Sequence, residues 1–260
     1  MKSNPIWIKN SGTHLNGLEF SGDYDAALYI DKPLENITIE NCDFSFCAYP
    51  LLVNAPIKNL IFRNNKGYML FGDGCCINTT SGQSENVWIH DNYIHAPFSN
   101  VIPMGFGISL SKTKNAYIMR NTIINAKWQG LHIENDCDNF WIFENQINGI
   151  IGNLHGDKTI WTSGRAGIWV HRSKNMWIVE NSFNNCVDSG VYLAGENTTV
   201  LVTGNEILNP GMYGIYISNY ELAPNIYVGP CNPWTANKIS YESNTKIKIV
   251  GRTGGVVVTQ

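Results

Sequence analysis

A repeat of about two dozen residues runs through nearly the whole chain and limits the folds that the chain can adopt. Its clearest copy, residues 167–190 (GIWVHRSKNMWIVENSFNNCVDSG), reads as three short strands of alternating apolar and polar residues separated by Asn, Ser or Asp. Units this short, with no helical pattern, predict an all-β solenoid of parallel strands with about ten turns. The first strands open at Ile6, Leu28, Leu51, Cys75, Ile108, Leu131, Ile168, Val191, Ile215 and Ile239.

The second strand of each copy carries two apolar residues in one register, which predicts an inward-facing core column. These pairs are Ile37/Ile39, Leu60/Phe62, Val87/Ile89, Ala116/Ile118, Phe140/Ile142, Met176/Ile178, Val200/Val202, Ile226/Val228 and Ile247/Ile249. Because side chains alternate along a strand, this register also predicts which residues face outward.

The repeat continues from Ile6 to Ile249 without a linker, so residues 1–260 are predicted to form one domain. Two steps of the repeat are longer than the others, which predicts long loops at 95–107 and 148–167. The net charge is −3 and 15% of residues are charged, a composition that argues against a nucleic-acid or anionic membrane partner.

Asparagines recur at the turns, and we expect them to be structural, with left-handed backbone or in hydrogen-bonded ladders along the rod. They are Asn92, Asn121, Asn145, Asn181 and Asn205. The seven cysteines show no metal-ligand spacing, so we expect reduced thiols packed as small apolar groups. The start MKSNPIWIKNSG lacks the apolar region of a secretory signal.

The turn pattern G-φ-x-φ followed by N-φ-x-φ-x-x-N-x-φ, seen in GLHIENDCDNFWIFENQI and GIWVHRSKNMWIVENSF, resembles the right-handed parallel β-helix repeat of the pectate-lyase-like superfamily. The resemblance covers nearly the whole chain. It implies a right-handed β-helix and a polysaccharide ligand, since these relatives include polysaccharide lyases, polygalacturonase-type hydrolases, alginate epimerases and phage tailspike depolymerases. The Asp-Pro-His-Glu motif of alginate epimerases and the paired aspartates of polygalacturonases do not recur here, so no catalytic residue is carried over from these relatives.

Four outward residues of the first sheet are predicted to meet. His132 and Glu134 alternate on one turn, and Trp169 and His171 occupy the same positions on the next turn. Turns lie ~4.8 Å apart and alternate residues ~6.6 to 7 Å apart, so the four side chains should form a small solvent-facing rectangle. Two imidazoles, one carboxylate and one indole in such proximity predict a functional site.

Both long loops enter the first sheet from the same corner, on either side of the turn that opens at Leu131, and should form the walls of a notch around this rectangle. A sugar chain fits such a groove, because aromatic rings can stack on pyranose faces. The predicted catalytic residues are His132, Glu134, Asp157, Arg165, His171 and Tyr192. The predicted substrate-binding residues are Trp128, His155, Lys158, Trp161, Trp169, Arg172 and Tyr216.

Two chemistries stay open. In β-elimination from a uronate, His132 or His171 would be the base, and Tyr192 would protonate the leaving oxygen. The cation that stabilises the developing charge would be Lys158, Arg165 or Arg172. In hydrolysis, Glu134 and Asp157 would be the carboxylate pair. We expect no cofactor, although the acidic turn Glu134, Asp136, Asp138 has the oxygen ligands of a calcium site.

Outward residues of the second sheet form an apolar stripe that exceeds what a monomer normally exposes. Its central residues are Trp88, Tyr117, Trp141 and Trp177. The resemblance to tailspikes implies a homotrimer through this face, in a virion-associated chain or in part of a larger exported chain. The rival classes are a non-catalytic glycan-binding adhesin or structural fibre, and an intracellular structural module.

Overall fold

The strands of this chain stack in parallel, turn upon turn. A computed structural model describes residues 6–79, 81–95, 105–150, 165–219, 225–240, 246–251 and 256–259. In chain order the strands are β1 Ile6–Trp7, β2 His14–Asn16, β3 Glu19–Ile30, β4 Leu34–Glu40, β5 Asp43–Val53, β6 Ile57–Arg63, β7 Lys66–Tyr68, β8 Cys75–Asn78, β9 Ser84–His90, β10 Tyr93–His95, β11 Phe106–Ser111, β12 Thr113–Met119, β13 Thr122–Ile124, β14 Gln129–Glu134, β15 Asp138–Phe143, β16 Gln146–Ile150, β17 Ala166–His171, β18 Lys174–Val179, β19 Ser182–Cys186, β20 Ser189–Gly195, β21 Thr198–Thr203, β22 Glu206–Leu208, β23 Tyr213–Asn219, β24 Ile226–Val228, β25 Lys238–Ser240, β26 Ile247–Gly251 and β27 Val256–Val258.

Each of the first nine turns contributes one strand to each of three sheets, as the three-strand repeat predicts. The second sheet holds ten strands, β2, β4, β6, β9, β12, β15, β18, β21, β24 and β27. The first sheet runs from β1 through the ends of β3 and β5 to β8, β11, β14, β17, β20, β23 and β26. The third sheet starts with the beginnings of β3 and β5 and continues through β7, β10, β13, β16, β19, β22 and β25. Because β3 and β5 continue through the corner, the first and third sheets join into one 17-stranded sheet.

The inward columns form one continuous apolar core along the solenoid axis. Val170, for example, is fully buried between its register partners Ile133 and Leu193. The glycine that opens each turn is required by the close corner. A Cβ on Gly130 would lie 2.6 Å from Ile147 Cγ2 and 2.7 Å from the carbonyl oxygen of Gly167. The predicted all-β parallel β-helix is confirmed.

The last turn differs from the prediction. Ile239 lies in the third sheet, above Ile207, and does not open a first strand. The first strand of this turn is β26, in which Ile247 pairs with Ile215, and its second strand is β27. The prediction was wrong by one sheet because residues 229–237 lengthen the turn, so a fixed spacing from Ile215 counts too few residues.

A buried asparagine ladder holds neighbouring turns together. The side-chain nitrogen of Asn121 donates to Oδ1 of Asn145 at 3.0 Å, and that of Asn145 donates to Oδ1 of Asn181 at 2.9 Å. The same bond recurs along the corner from Asn65 to Asn237. The predicted ladder is confirmed, but the left-handed backbone belongs to the preceding residue, for example Arg120 with φ 51° and Glu144 with φ 55°.

All seven cysteines are free, and six of them are buried, as predicted for thiols packed in a core. Cys75 Sγ and Cys186 Sγ belong to the apolar interior, where burial raises the thiol pKa of both. The described residues include no helix of the length and apolar character needed to cross a membrane.

Candidate functional site

The predicted rectangle is present on the outer face of the first sheet. His132 pairs in register with Trp169, and Glu134 pairs with His171. Phe106, at the start of the strand one turn before, completes the group because its ring lies 4.1 Å from the imidazole of His132, centroid to centroid. We call these five side chains the first-sheet site.

The rings of this site lie nearly parallel to one another. The indole of Trp169 is 4.6 Å from the imidazole of His132 and 5.1 Å from that of His171, with interplanar angles of 21° and 17°. Trp169 is 8% exposed and His132 is 9% exposed. The expectation that these side chains face solvent is therefore wrong for both, and Trp169 offers no open ring face on which a sugar could stack.

His132 links a side-chain amide to a carboxylate. Its Nδ1 lies 3.2 Å from Gln129 Oε1, and its Nε2 lies 3.4 Å from Glu134 Oε2. A neutral imidazole can donate to one of these oxygens, and an imidazolium can donate to both. The hydrogen bond from His132 lowers the pKa of Glu134, and the charges of His132 and His171 add to this effect, so Glu134 is ionised at neutral pH.

His171 has a different environment from His132. It is partly buried, and no described residue forms a hydrogen bond with its buried Nδ1 atom. Burial and then the charge of Arg172 lower the pKa of His171, so its imidazole is neutral at neutral pH. The neighbouring turn leaves room for this ring through Gly195, where φ is 74° and a Cβ would lie 2.6 Å from His171 Nε2.

Arg165 lies at the corner that leads into the site and is already engaged. Its backbone N–H donates to Asp188 Oδ2 at 3.0 Å, and its Nε lies 3.4 Å from the same oxygen. Asp188 is buried, so the pair anchors this corner. Arg165 therefore has a structural ion pair, and its role as the cation of the elimination stays a prediction. Trp128, half-buried near the same corner, carries the Lys127 ammonium 5.0 Å from its ring centroid.

Tyr192 and Tyr216 continue the column of rings beyond Trp169. Their centroids are 4.6 Å apart, and Tyr213 lies 5.2 Å from Tyr216. Tyr192 is buried together with Trp169 and Ala166 in a small apolar cluster outside the main core. The expectation that Tyr192 protonates a leaving group stays a prediction, and the two tyrosines extend the floor of the site.

A polar cleft of about 400 Å³ adjoins the site where the first and second sheets meet. Arg172 lines it, and the guanidinium is mostly exposed, 3.9 Å from Glu196. Asp138 also lines it and is held by Lys174 at 3.6 Å and by Asn175 at 2.7 Å. Within the described part of the chain, no three His, Cys, Asp or Glu side chains converge as metal ligands. The expectation of no cofactor stays a prediction.

Three residues near the site were missed by sequence reasoning. Gln129 and Phe106 precede the glycine that opens a turn, and extending the repeat template one residue upstream would have placed them beside His132. Asp73 occupies the same position on an earlier turn, where its Oδ1 accepts the N–H of Phe106 at 2.9 Å. Burial raises the pKa of Asp73 to about 6.

Four predicted site residues, His155, Asp157, Lys158 and Trp161, lie outside the described residues. Most of both predicted loops, residues 96–104 and 151–164, also lie outside the described residues. The carboxylate pair Glu134 and Asp157 and the notch walls therefore stay predictions.

Comparison with known proteins agrees with this architecture. An alginate lyase from Paenibacillus sp. str. FPU-7 has a solved structure similar to this chain, with a TM-score of 0.62 and 14% sequence identity over 97% of this chain and 83% of the lyase chain. At this identity the likeness shows the fold. No curated protein sequence matches the chain significantly. The family described as right handed beta helix region matches residues 1–156 and 153–232. This chain therefore belongs to the right-handed β-helix family and has the fold of the pectate-lyase-like superfamily that its repeat resembles.

Proposed function

We propose that this chain degrades a polysaccharide, and that its first-sheet site cleaves a uronate-containing glycan by β-elimination. The observation that carries the proposal is the pairing of two imidazoles in unlike environments on either side of Trp169. His171 is neutral and can accept a proton, whereas His132 faces two oxygen acceptors and can donate one. The name of the solved relative, an alginate lyase, supports a uronate as substrate.

The elimination uses these groups in a defined order. His171 takes the proton α to the uronate carboxyl group, and that C–H electron pair forms the new carbon–carbon double bond. The bond to the leaving glycosidic oxygen breaks, and His132 protonates that oxygen. Arg172, exposed beside His171, pairs with the substrate carboxylate and stabilises its developing negative charge. Glu134 Oε2 lies 3.4 Å from His132 Nε2 and holds this imidazole in place.

A second candidate is a non-catalytic glycan-binding adhesin or structural fibre. It is favoured by the burial of Trp169 and Tyr192 and by the ion pair of Arg165, which leave these side chains in structural contacts. A binder needs only the polar rim of Glu134, His171 and Arg172. The two candidates differ in whether the protein turns over its glycan.

A depolymerase assay on a panel of uronate-containing and neutral polysaccharides tests the proposal. We expect a uronate substrate to yield a product with the ultraviolet absorbance of an unsaturated uronate. His132→Ala, Glu134→Ala and His171→Ala should each lower turnover and leave the circular dichroism spectrum unchanged. New reducing ends without that absorbance would indicate hydrolysis. Glycan binding without cleavage would support the adhesin.

We further propose that copies of the chain associate through the aromatic stripe of the second sheet, the contact that resemblance to tailspikes implies as a trimer. A virion-associated chain or a larger exported chain fits a glycan-degrading role, and the genes beside this one would test that setting. Trp141→Glu combined with Trp177→Glu should yield monomers or aggregates, because it places two carboxylates in the contact.

A further inference from the structure

An alternating ladder of charges runs along one edge of the second sheet. In register order, each side chain lies beside an oppositely charged one on the next turn. All six face outward and are exposed or half-exposed. From turn two to turn seven the ladder reads Glu35, Lys58, Glu85, Lys114, Asp138 and Lys174.

The aromatic stripe runs parallel to this ladder, three residues further along each strand and beyond an asparagine with left-handed backbone. The ladder thus forms the rim of this face, and Lys114, Asp138 and Lys174 also line the polar cleft. Trp141 and Trp177 stack with centroids 4.6 Å apart and an interplanar angle of 4°, and Trp88 and Tyr117 stack at 6.1 Å and 3°. Each ring is half-buried. Rings stacked along the rod cover one another's faces and present their edges, which disfavours stacking on sugars. A protein surface is the better partner for such a stripe.

We propose that the occupant of this face is a second copy of the chain, packed antiparallel about a two-fold axis that passes between turns four and five. This inference rests on the self-association proposed above and replaces its three-fold symmetry. Reversing an alternating ladder of six charges sets opposite charges face to face at every step. Glu85 then faces Lys114 of the second copy, Lys58 faces its Asp138, and Glu35 faces its Lys174.

In this arrangement the aromatic residues of the stripe also face apolar residues of the second copy. Trp88 of one copy faces Tyr117 of the other, and Trp141 faces Ile61, so the central contact is apolar on both sides. On the far flank, Arg63, whose Nε donates to Glu40 at 2.6 Å, comes to the height of Phe143 in the second copy, where the rest of its guanidinium can form a cation–π contact.

A parallel arrangement does not match the charges. Two copies could instead pack this face together about an axis along the rod. Residues of the same turn would then meet, and the start of each strand in one copy would lie opposite the end of that strand in the other copy. Lys114 would then meet Met119, Asp138 would meet Phe143, and Lys174 would meet Val179. A charged side chain that is set against an apolar one loses water and gains no partner, which opposes association. The charge pattern therefore favours the antiparallel dimer over a parallel trimer through this face.

The contact is large enough for a specific dimer. Six turns at ~4.8 Å and strands of about seven residues at ~3.3 Å give a face of roughly 650 Å² on each copy, or about 1,300 Å² in total. Stable protein interfaces begin at about 1,200 Å². An isologous contact of this kind closes on itself and gives a dimer without further growth.

Light scattering coupled to size exclusion tests the state of association. We expect a dimer of the 29.1 kDa chain at micromolar concentration and a monomer at the same concentration for Lys58→Glu combined with Lys114→Glu. That double variant makes the ladder acidic from Glu35 to Asp138, so facing carboxylates repel. A monomer for the unmodified chain would overturn self-association altogether, whereas a trimer would keep self-association and overturn the antiparallel dimer.

Cross-linking tests the orientation. Stacked sheets lie ~10 Å apart, beyond the ~7 Å limit for a disulfide, so a short bis-maleimide is the suitable reagent. An equal mixture of Lys58→Cys protein and Asp138→Cys protein should give a covalent dimer from its mixed dimers, which are about half of all dimers after subunit exchange. Lys58→Cys protein alone should give little covalent dimer, because the two copies of position 58 lie three turns apart across the axis. The parent, with its half-buried Cys231, should also give little covalent dimer. Equal yields from Lys58→Cys alone and from the mixture would overturn the antiparallel register.

Discussion

His132 and Trp169 are register partners on neighbouring turns, and their ring centroids lie 4.6 Å apart at an interplanar angle of 21°. The indole therefore lies between His132 and His171, and it fixes both imidazoles relative to the sheet. Rigid placement of this kind is what a proton donor and a proton acceptor require if they are to act on the same bond. Burial of Trp169 thus contributes to the site by positioning its neighbours.

The pH dependence of activity should report His171. If neutral His171 is the base, the acidic limb of the kcat/KM profile follows the pKa of His171, which burial and Arg172 lower. Arg172→Gln removes a positive charge that opposes protonation, so it should raise this pKa and move the acidic limb to higher pH. A titration of the His171 ring by NMR checks the same shift without substrate.

Lys127→Gln is the matched control for Arg172→Gln, since Lys127 carries the same charge and contacts Trp128. It should leave the His171 titration unchanged. An acidic limb that stays in place in Arg172→Gln while the NMR titration moves would show that His171 is not the base.

The asparagine ladder should make a measurable contribution to stability. Asn145 accepts from the backbone and side-chain nitrogens of Asn121 and donates to Asn181 and to the carbonyl oxygen of Ile118. Asn145→Ala leaves these buried partners unsatisfied and should lower the free energy of unfolding by about 2–4 kcal/mol in urea denaturation. Asn184→Ala, at a half-exposed position of the third sheet, should change it by less than about 0.5 kcal/mol.

The inward register can be tested at the centre of the core. Val170→Asp would bury an unpaired carboxylate between Ile133 and Leu193, at a cost comparable to the whole stability of a domain, so we expect no soluble native protein. Thr198→Asp, at a partly exposed outward position beside Lys174, should fold normally. Soluble, cooperatively unfolding Val170→Asp protein would contradict the assigned register.

Periodicity was sufficient to predict the solenoid and the register of His132 with Trp169, because both depend only on counting residues along a regular ladder. Counting failed at Ile239, where a longer turn broke the spacing. It also could not predict exposure. Whether Trp169 faces solvent depends on what packs over it, and an alternating pattern reports only the side of the sheet on which a residue lies.

Pairing between side chains was equally out of reach. Arg165 appeared free in the sequence because its partner, Asp188, belongs to the next turn at a corner where the pattern carries no apolar signal. The contact of His132 with Gln129 was missed for a similar reason, since Gln129 lies at the corner that precedes the strand.

Asp73 offers a test of the electrostatics beneath the site. It is buried, and burial raises its pKa from about 3.8 to about 6, so the folded protein binds the proton more tightly than the unfolded chain does. The contribution of the protonated Asp73 to the free energy of unfolding is at its full value below about pH 4 and is lost as the pH rises through about 6. At neutral pH the native state therefore holds a buried carboxylate at a cost.

Asp73→Asn should relieve that cost, because an amide oxygen can still accept the N–H of Phe106. The stability of the variant relative to the parent should rise by about 2 kcal/mol between pH 4.5 and pH 8, measured by urea denaturation at both values. Asp43→Asn, at an exposed position of the third sheet, should show no such rise. A difference between Asp73→Asn and the parent that is the same at both pH values would mean that Asp73 ionises as it does in water, and that the corner beneath Phe106 is hydrated.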